Sequence, residues 1–156
     1  DDMNALRAEV RQINRVLAPR GLCLLLLRRM QGRALLYLYR PDRLRHDLAD
    51  AAAQALLRES GYDCIRCGQC MAQLIRRLRA GGEFPHEVGL FLSYPPEDVQ
   101  GFIRNQAGGF QCAGPWKVYG DPERAQATFQ KYRQCTKIYC RLYRAGVSLE
   151  RLAVAG

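Results

Sequence analysis

The spacing of the cysteines is the feature of this chain that most directly indicates chemistry. Cys64, Cys67 and Cys70 form two consecutive C-x-x-C steps ahead of a helical pattern, which resembles part of an iron–sulfur run. A fourth ligand would come from a histidine or from a later cysteine. The later cysteines are Cys112, Cys135 and Cys140. No closing Cys-Pro follows, so we weigh an iron–sulfur cluster or zinc against ordinary thiols at a loop–helix junction, and we favour the thiols.

The later cysteines fit a metal site less well. Cys135 and Cys140 are five residues apart, which separates them by about 140° around a helix axis. We therefore expect core thiols there, and also at Cys23, which stands in an apolar run. The seven cysteines are odd in number and no signal peptide precedes them. This favours the cytoplasm, where thiols stay reduced.

A second group of chemically capable residues lies in two segments, Pro85–Ile103 and Trp116–Asp121. Many of their polar and aromatic residues have no simple periodic role, so we predict that they bind a ligand or a partner. The predicted binding residues are His86, Glu87, Tyr94, Glu97, Asp98, Trp116, Lys117 and Tyr119.

Less specific interpretations of these residues stay open. A histidine beside an acid could be a general base or a ligand, but more often such a histidine satisfies a loop. The only tryptophan, beside Lys117, could form an aromatic and cationic wall or simply anchor an edge segment. No nucleophile elbow or phosphate-binding loop is recognisable in the sequence, which leaves the question of catalysis open.

Residues 87–103 also match the register of a helix-turn-helix. Gly89 takes the position where two helices cross closely, and Leu92 and Val99 take the packing positions. The second helix would begin with Glu97 and Asp98, which face phosphates unfavourably. Nucleic-acid binding is therefore an alternative that we do not favour.

The surrounding pattern predicts the elements that position these residues. We expect helices over 3–17, from Pro41 to about Glu59, within 64–80, and from Pro122 to about Arg144, with a short last helix capped by Ser148. Strands at 22–28 and 34–40 should form a hairpin, and 110–119 looks extended. The fold class is α+β: a mostly helical single domain over residues 1–156, with a small β-hairpin-based sheet and a helix-turn-helix-like segment.

Charge and composition exclude some classes of protein. The 156 residues suit one globular domain, and the longest apolar run, Leu22–Leu27, is far shorter than the ~20 residues that span a bilayer. The net charge is +9, with 21 Arg and 3 Lys among the basic residues. Residues 1–80 carry 15 basic and 8 acidic side chains, while the distinctive segments lie in the nearly balanced second half. We therefore interpret the excess as solvated surface.

Several segments together resemble an uncharacterised bacterial family, the domain of unknown function number 3793, which is common in anaerobic Firmicutes. The resemblance covers roughly residues 20–154. The segments that carry it are 35–44, 47–50, 83–103, 116–121, Cys135 and 139–143.

This chain also departs from the pattern that the family resemblance implies. Family members carry an upstream His-Cys-Ala-Pro-Thr-like segment, which would precede residue 1, so a cysteine-dependent site would be incomplete here. The triplet of Cys64, Cys67 and Cys70 is not part of the pattern, and Ser93 stands where the family has glycine. Occurrence near iron-uptake and flavodoxin genes implies a link to iron or redox metabolism.

Together these observations predict a cytoplasmic bacterial accessory protein that binds an unknown small molecule or protein without catalysing a reaction. The alternatives are a cysteine-based metal or redox protein and a nucleic-acid-binding protein. No membrane association is expected.

Overall fold

A computed structural model describes residues 2–30, 32–63, 66–81 and 83–154. In these ranges the helices are α1 (Asp2–Leu17), α2 (Pro41–Leu48), α3 (Ala51–Glu59), α4 (Cys67–Ala80), α5 (Val88–Phe91), α6 (Pro96–Arg104), α7 (Pro122–Arg144) and α8 (Leu149–Leu152). The strands are β1 (Cys23–Met30), β2 (Arg33–Tyr39), β3 (Cys112–Ala113) and β4 (Lys117–Val118). The predicted mostly helical α+β class is confirmed.

The N-terminal helix and the first hairpin form one small layer. The strands β1 and β2 pair antiparallel, with Leu24 opposite Leu38. The side chain of Asn14 in α1 pairs with the backbone of β1 as a neighbouring strand would. Its amide N–H donates to Leu24 O and its Oδ1 accepts from Leu24 N, both at 2.8 Å. Val10 and Leu17 complete a small core with Leu24 and Ala153, which brings the C-terminal end of the chain back to α1.

The main core lies between the other face of the hairpin and helices α2 to α6. Leu48, Leu57, Leu74, Leu90 and Phe91 are fully buried in it. Leu48, Leu57 and Leu74 come from apolar stripes at helical spacing, so the hydrophobic effect selects the packed face of those helices. Leu90 and Phe91 are neighbours in the single turn of α5.

The segment 41–59 differs from its sequence prediction, because it forms two helices instead of one. The break is at Asp50, whose Oδ1 accepts hydrogen bonds from Ala52 N at 2.9 Å and Ala53 N at 3.1 Å. This is the geometry of a helix N-cap. Ala49 ends α2 and Asp50 starts α3, although apolar periodicity continues across the junction.

The second half of the chain builds a smaller unit on α6. The stretch 110–119 is extended as predicted but folds back on itself, so that β3 and β4 pair antiparallel. Gly114 N donates to Trp116 O at 2.9 Å and closes the turn. Trp116, Val118, Ala125 and Phe129 form a third core, which attaches the start of α7 to this hairpin. None of the helices in the described part of the chain is both long and apolar enough to cross a membrane.

Ser93 occupies a left-handed backbone conformation, with φ of 60°, in the turn between α5 and α6. Glycine adopts this conformation without the steric cost that a Cβ brings. The glycine that the family resemblance implies at this position would suit this conformation.

We expect Ser93→Gly to raise the free energy of unfolding by up to about 1 kcal/mol, because it removes that steric cost. Urea denaturation measures the change. Ser60→Gly is the matched control, because Ser60 has an ordinary φ of −79° and glycine there only adds unfolded-state entropy. A destabilised Ser93→Gly variant would show that the turn does not strain Ser93.

Candidate functional site

A cavity of about 390 Å³ lies between the α5–α6 pair and the β3–β4 hairpin. Its lining is mostly aromatic and aliphatic, with a few polar side chains. The lining residues are Phe84, His86, Val88, Gly89, Tyr94, Asp98, Val99, Phe102 and residues 113–117. The cavity brings together five of the eight predicted binding residues. These are His86, Tyr94, Asp98, Trp116 and Lys117.

The close crossing of α5 and α6 forms one side of the cavity. A Cβ on Gly89 would lie 2.7 Å from Cγ2 of Val99, which is closer than such atoms approach. Only glycine therefore permits this crossing, as expected from the sequence. The same crossing fixes where Tyr94, in the connecting turn, enters the cavity wall.

Trp116 forms the opposite wall. Its ring stacks on Tyr94 at a centroid distance of 4.8 Å and meets Phe129 edge-on at 4.6 Å. The Tyr94 hydroxyl donates to Pro115 O at 3.2 Å, so the tyrosine holds the turn before the tryptophan as well. These contacts immobilise the indole, which keeps the wall in place without a ligand.

Asp98 positions this wall. Its Oδ2 accepts a hydrogen bond from Trp116 Nε1 at 2.7 Å, and its Oδ1 accepts from Tyr119 N at 2.7 Å and Gly120 N at 2.8 Å. The residue is only 3% exposed. Both carboxylate oxygens are therefore engaged by the chain itself, and Asp98 acts as a positioning residue for the β3–β4 hairpin.

The charged groups of the cavity lie at its mouth. Lys117 Nζ donates to Ala107 O at 2.6 Å and lies 4.7 Å from the ring centroid of Phe110. An ammonium group has three donors, so two remain for solvent or a bound molecule. His86 is exposed and packs against Phe102 at a centroid distance of 5.1 Å. The mouth is therefore cationic and aromatic.

The other three predicted residues lie outside this cavity. Glu87 is buried and forms an ion pair with Arg77 at 3.2 Å. Glu97 is exposed and lines a separate polar cleft. The Tyr119 ring packs directly on Gly101, and its buried hydroxyl has no hydrogen-bond partner among the described residues.

The adjacent residues His86 and Glu87 do not act as a pair. His86 faces the cavity mouth, whereas Glu87 stabilises the guanidinium of Arg77, which lies 4.3 Å over the ring of Tyr62. Burial raises the pKa of Tyr62, and the Glu87 carboxylate raises it further. Glu87 is thus part of a buried structural cluster.

Two further aromatic residues of the lining, Phe84 and Phe102, were not predicted from the sequence as binding residues. Phe84 precedes Pro85 and His86, and Phe102 follows Asp98 by one helical turn. That spacing along α6 was the available signal, because residues four apart share a helix face.

The segment predicted as helix-turn-helix-like forms α5 and α6, joined by residues 92–95. The helix α5 is a single turn of four residues. The first turn of α6 is covered by the β3–β4 hairpin through the three hydrogen bonds to Asp98. A recognition helix reads bases with its N-terminal residues. Here Asp98 is committed to packing, whereas Glu97 is exposed.

The cysteine triplet does not present three thiolates in the described residues. Cys64 lies outside them. Cys70 is fully buried and disulfide-bonded, so the expectation of reduced thiols is wrong for this residue. Cys67 is free and partly buried, and burial raises the pKa of its thiol, with Arg45 acting in the opposite direction.

The later cysteines also differ from their prediction. Cys135 and Cys140 are both exposed on α7, so the expectation that they fill the core is wrong. Periodicity alone could not show that α7 extends past its packing partners. Cys112 is partly buried beside the Trp116 core. In the part of the chain that the structure describes, no three His, Cys, Asp or Glu residues are grouped closely enough to hold a metal ion.

We expect Asp98→Ala to lower the free energy of unfolding by about 3 kcal/mol, because it leaves three N–H groups without their charged acceptor. Asp98→Asn should cost less, since its carbonyl oxygen can still accept the two backbone bonds. Urea denaturation measures both. Glu97→Ala, one residue away and exposed, should change stability by less than about 1 kcal/mol. Equal effects at positions 97 and 98 would refute the positioning role.

We expect iodoacetamide to alkylate Cys135 and Cys140 long before Cys67 in the folded protein at neutral pH. The thiolate is the reactive form, and burial lowers its fraction at Cys67 by raising the thiol pKa. Mass spectrometry of tryptic peptides over time measures the order. Denatured protein is the control, in which all three should react alike. Equal rates in the folded protein would contradict the burial of Cys67.

Neither a curated protein nor a solved structure matches the chain. A family model described as "Protein of unknown function (DUF3793)" matches residues 2–153, which include the cavity and every predicted site residue. The resemblance inferred from the sequence is thereby confirmed, and the chain belongs to this family of unknown function.

Proposed function

We propose that this protein binds a small aromatic or largely apolar molecule carrying an anionic group in the cavity beside Trp116. The observation that carries the proposal is the distribution of polarity: the walls are aromatic, and the one cationic side chain among the described lining residues, Lys117, lies at the mouth. We further propose that it does so as a non-catalytic accessory protein in the bacterial cytoplasm. The family resemblance adds a link to iron or redox metabolism to this proposal.

The size and lining of the cavity support a small apolar ligand. Ligand pockets typically occupy about 300–1,000 Å³ and are lined mainly by apolar and aromatic groups with a few placed polar ones. The volume of about 390 Å³ is at the small end of this range. Phe102 and Trp116 contribute aromatic rings to the lining, and planar rings pack well against aromatic groups.

The charges at the mouth support an anionic group on the ligand. Lys117 retains free donors there, and His86 lies at the same opening. The lining carboxylate, Asp98, has both oxygens hydrogen-bonded to N–H groups of the hairpin and the residues just after it. A ligand carboxylate would meet Lys117, and a charge-assisted hydrogen bond would fix its orientation.

Binding without catalysis is supported by how the polar groups of the lining are already used. The Asp98 oxygens and the Tyr94 hydroxyl are hydrogen-bonded within the chain. Glu87, the acid next to His86, pairs with Arg77. A general acid or base must itself lie within hydrogen-bond reach of the atom that gains or loses the proton. We therefore assign His86 and Lys117 to recognition.

We expect naphthoate, a planar aromatic carboxylate, to bind the protein, and its neutral relative naphthol to bind more weakly. The chain has one tryptophan, so its indole N–H gives a single nitrogen–proton cross-peak that reports on the cavity wall. Saturable movement of that peak, with isothermal titration calorimetry for affinity, tests the proposal. Lys117→Met should weaken naphthoate binding about fivefold, the equivalent of one lost hydrogen bond, and leave naphthol binding unchanged.

Lys131→Met is the matched control, because it makes the same change of charge on the exposed part of α7. Its affinity for naphthoate should equal that of the unaltered protein. Absence of saturable movement of the Trp116 peak, or equal weakening by the two lysine substitutions, would refute recognition of an aromatic anion in this cavity. Thermal unfolding of both variants separates lost recognition from a loosened hairpin.

A further inference from the structure

The long helix α7 leaves the body of the protein after its second turn. Ala125 and Phe129 are buried, but every residue from Gln130 to Arg141 is exposed. The stretch from Gln130 to the end of α7 at Arg144 is about 22 Å long at 1.5 Å per residue. None of its residues lines the cavity proposed above, although the Tyr132 ring lies 6.4 Å from that of Trp116.

Few interactions in the described part of the chain stabilise residues 130–144. Isolated helices of about 15 residues are marginal in water. Charge pairs along the helix do not help, because the only acidic residue of α7 is Glu123, in its first turn. Arg133, Lys137 and Arg141 follow one another at four-residue steps, a spacing at which like charges repel. A helix with these properties requires a partner surface.

The exposed stretch carries an apolar stripe that fits such a partner. Tyr132, Cys135, Tyr139 and Leu142 lie on one face, at steps of three, four and three residues. Tyr132 is 47% exposed and Tyr139 is 40% exposed. Ile138 and Tyr143, which flank the stripe, are also exposed. Leu142 is half-buried. A largely uncovered apolar strip of this kind marks an interaction site.

We propose that the partner is a second copy of this chain, paired antiparallel through α7. The 3-4-3 spacing is the same in both directions, so an antiparallel copy places Tyr132 opposite Leu142 and Cys135 opposite Tyr139. Each bulky ring thereby meets a smaller side chain, as knobs-into-holes packing requires. The contact is isologous and closes as a twofold dimer.

The placement of charge favours a second copy over an acidic partner. Arg133, Lys137, Arg141 and Arg144 lie on the face opposite the stripe, and only Lys131 stands beside it. Two copies therefore bring together nearly uncharged seams and keep their basic faces apart. An acidic protein, an anionic membrane or a nucleic acid would instead be drawn to the basic face.

The size of the seam sets the strength of the pairing. It offers fewer residues a side than the 20–30 of a standard interface. The dimer should therefore dissociate in the micromolar range. The two copies, each with a net charge of +9, repel one another through solvent. Added salt screens this repulsion and should strengthen the dimer, whereas it would weaken binding to any acidic partner.

Sedimentation equilibrium of the full chain, from about 1 to about 300 µM, tests the proposal. A reductant is present so that disulfides through the exposed Cys135 and Cys140 do not contribute. We expect the average mass to rise from that of one chain towards that of two, and to rise further at high salt. A single-chain mass throughout, or dissociation by salt, would overturn the proposal.

Two matched variants place the interface on the stripe. Tyr139→Glu puts one negative charge into the seam and should weaken the dimer at least about tenfold, since a charge buried without a partner is costly. Gln134→Glu puts the same charge on the opposite exposed face of α7 and should leave the dissociation constant unchanged. An unchanged Trp116 indole cross-peak shows that both variants fold. Equal effects of the two substitutions would refute pairing through this stripe.

Discussion

The second half of this molecule depends on one carboxylate. Asp98 on α6 accepts hydrogen bonds from one indole and two backbone N–H groups, all of which belong to the β3–β4 hairpin or the residues just after it. Burying a carboxylate is costly unless its lone pairs are satisfied, and three donors supply what water would have given. A two-residue ladder such as β3–β4 would not persist alone. The buried charge is what attaches it to α6.

The cavity follows from this attachment. Because the indole N–H is held by Asp98, the ring of Trp116 stands between Tyr94 and Phe129 in one orientation. The wall is thus formed before any ligand arrives, which lowers the entropic cost of binding. The negative charge that builds the wall is turned towards the hairpin, so the mouth keeps the positive character of Lys117.

Local sequence signals predicted the parts of the structure that local interactions decide. Pro122 after Asp121 begins α7, and Gly89 marks the helix crossing, because capping and close approach depend on neighbouring residues. The predicted binding residues His86 and Trp116 stand where periodicity fails. The roles of Asp98 and Glu87 were not predictable, because their partners are ten or more residues away. The exposure of Cys135 depends on where the rest of the chain stops packing against α7, which no periodic pattern predicts.

The helix α7 connects the two ends of the molecule. Phe129 anchors its start to Trp116, while the segment after it returns to α1 through Ala153, which packs with Val10 and Leu17. Its stripe begins at the cavity, since the Tyr132 ring lies 6.4 Å from that of Trp116. A change at Tyr132 therefore alters the cavity wall and the exposed face together. Tyr139 lies about two turns further along, where a substitution affects the face alone.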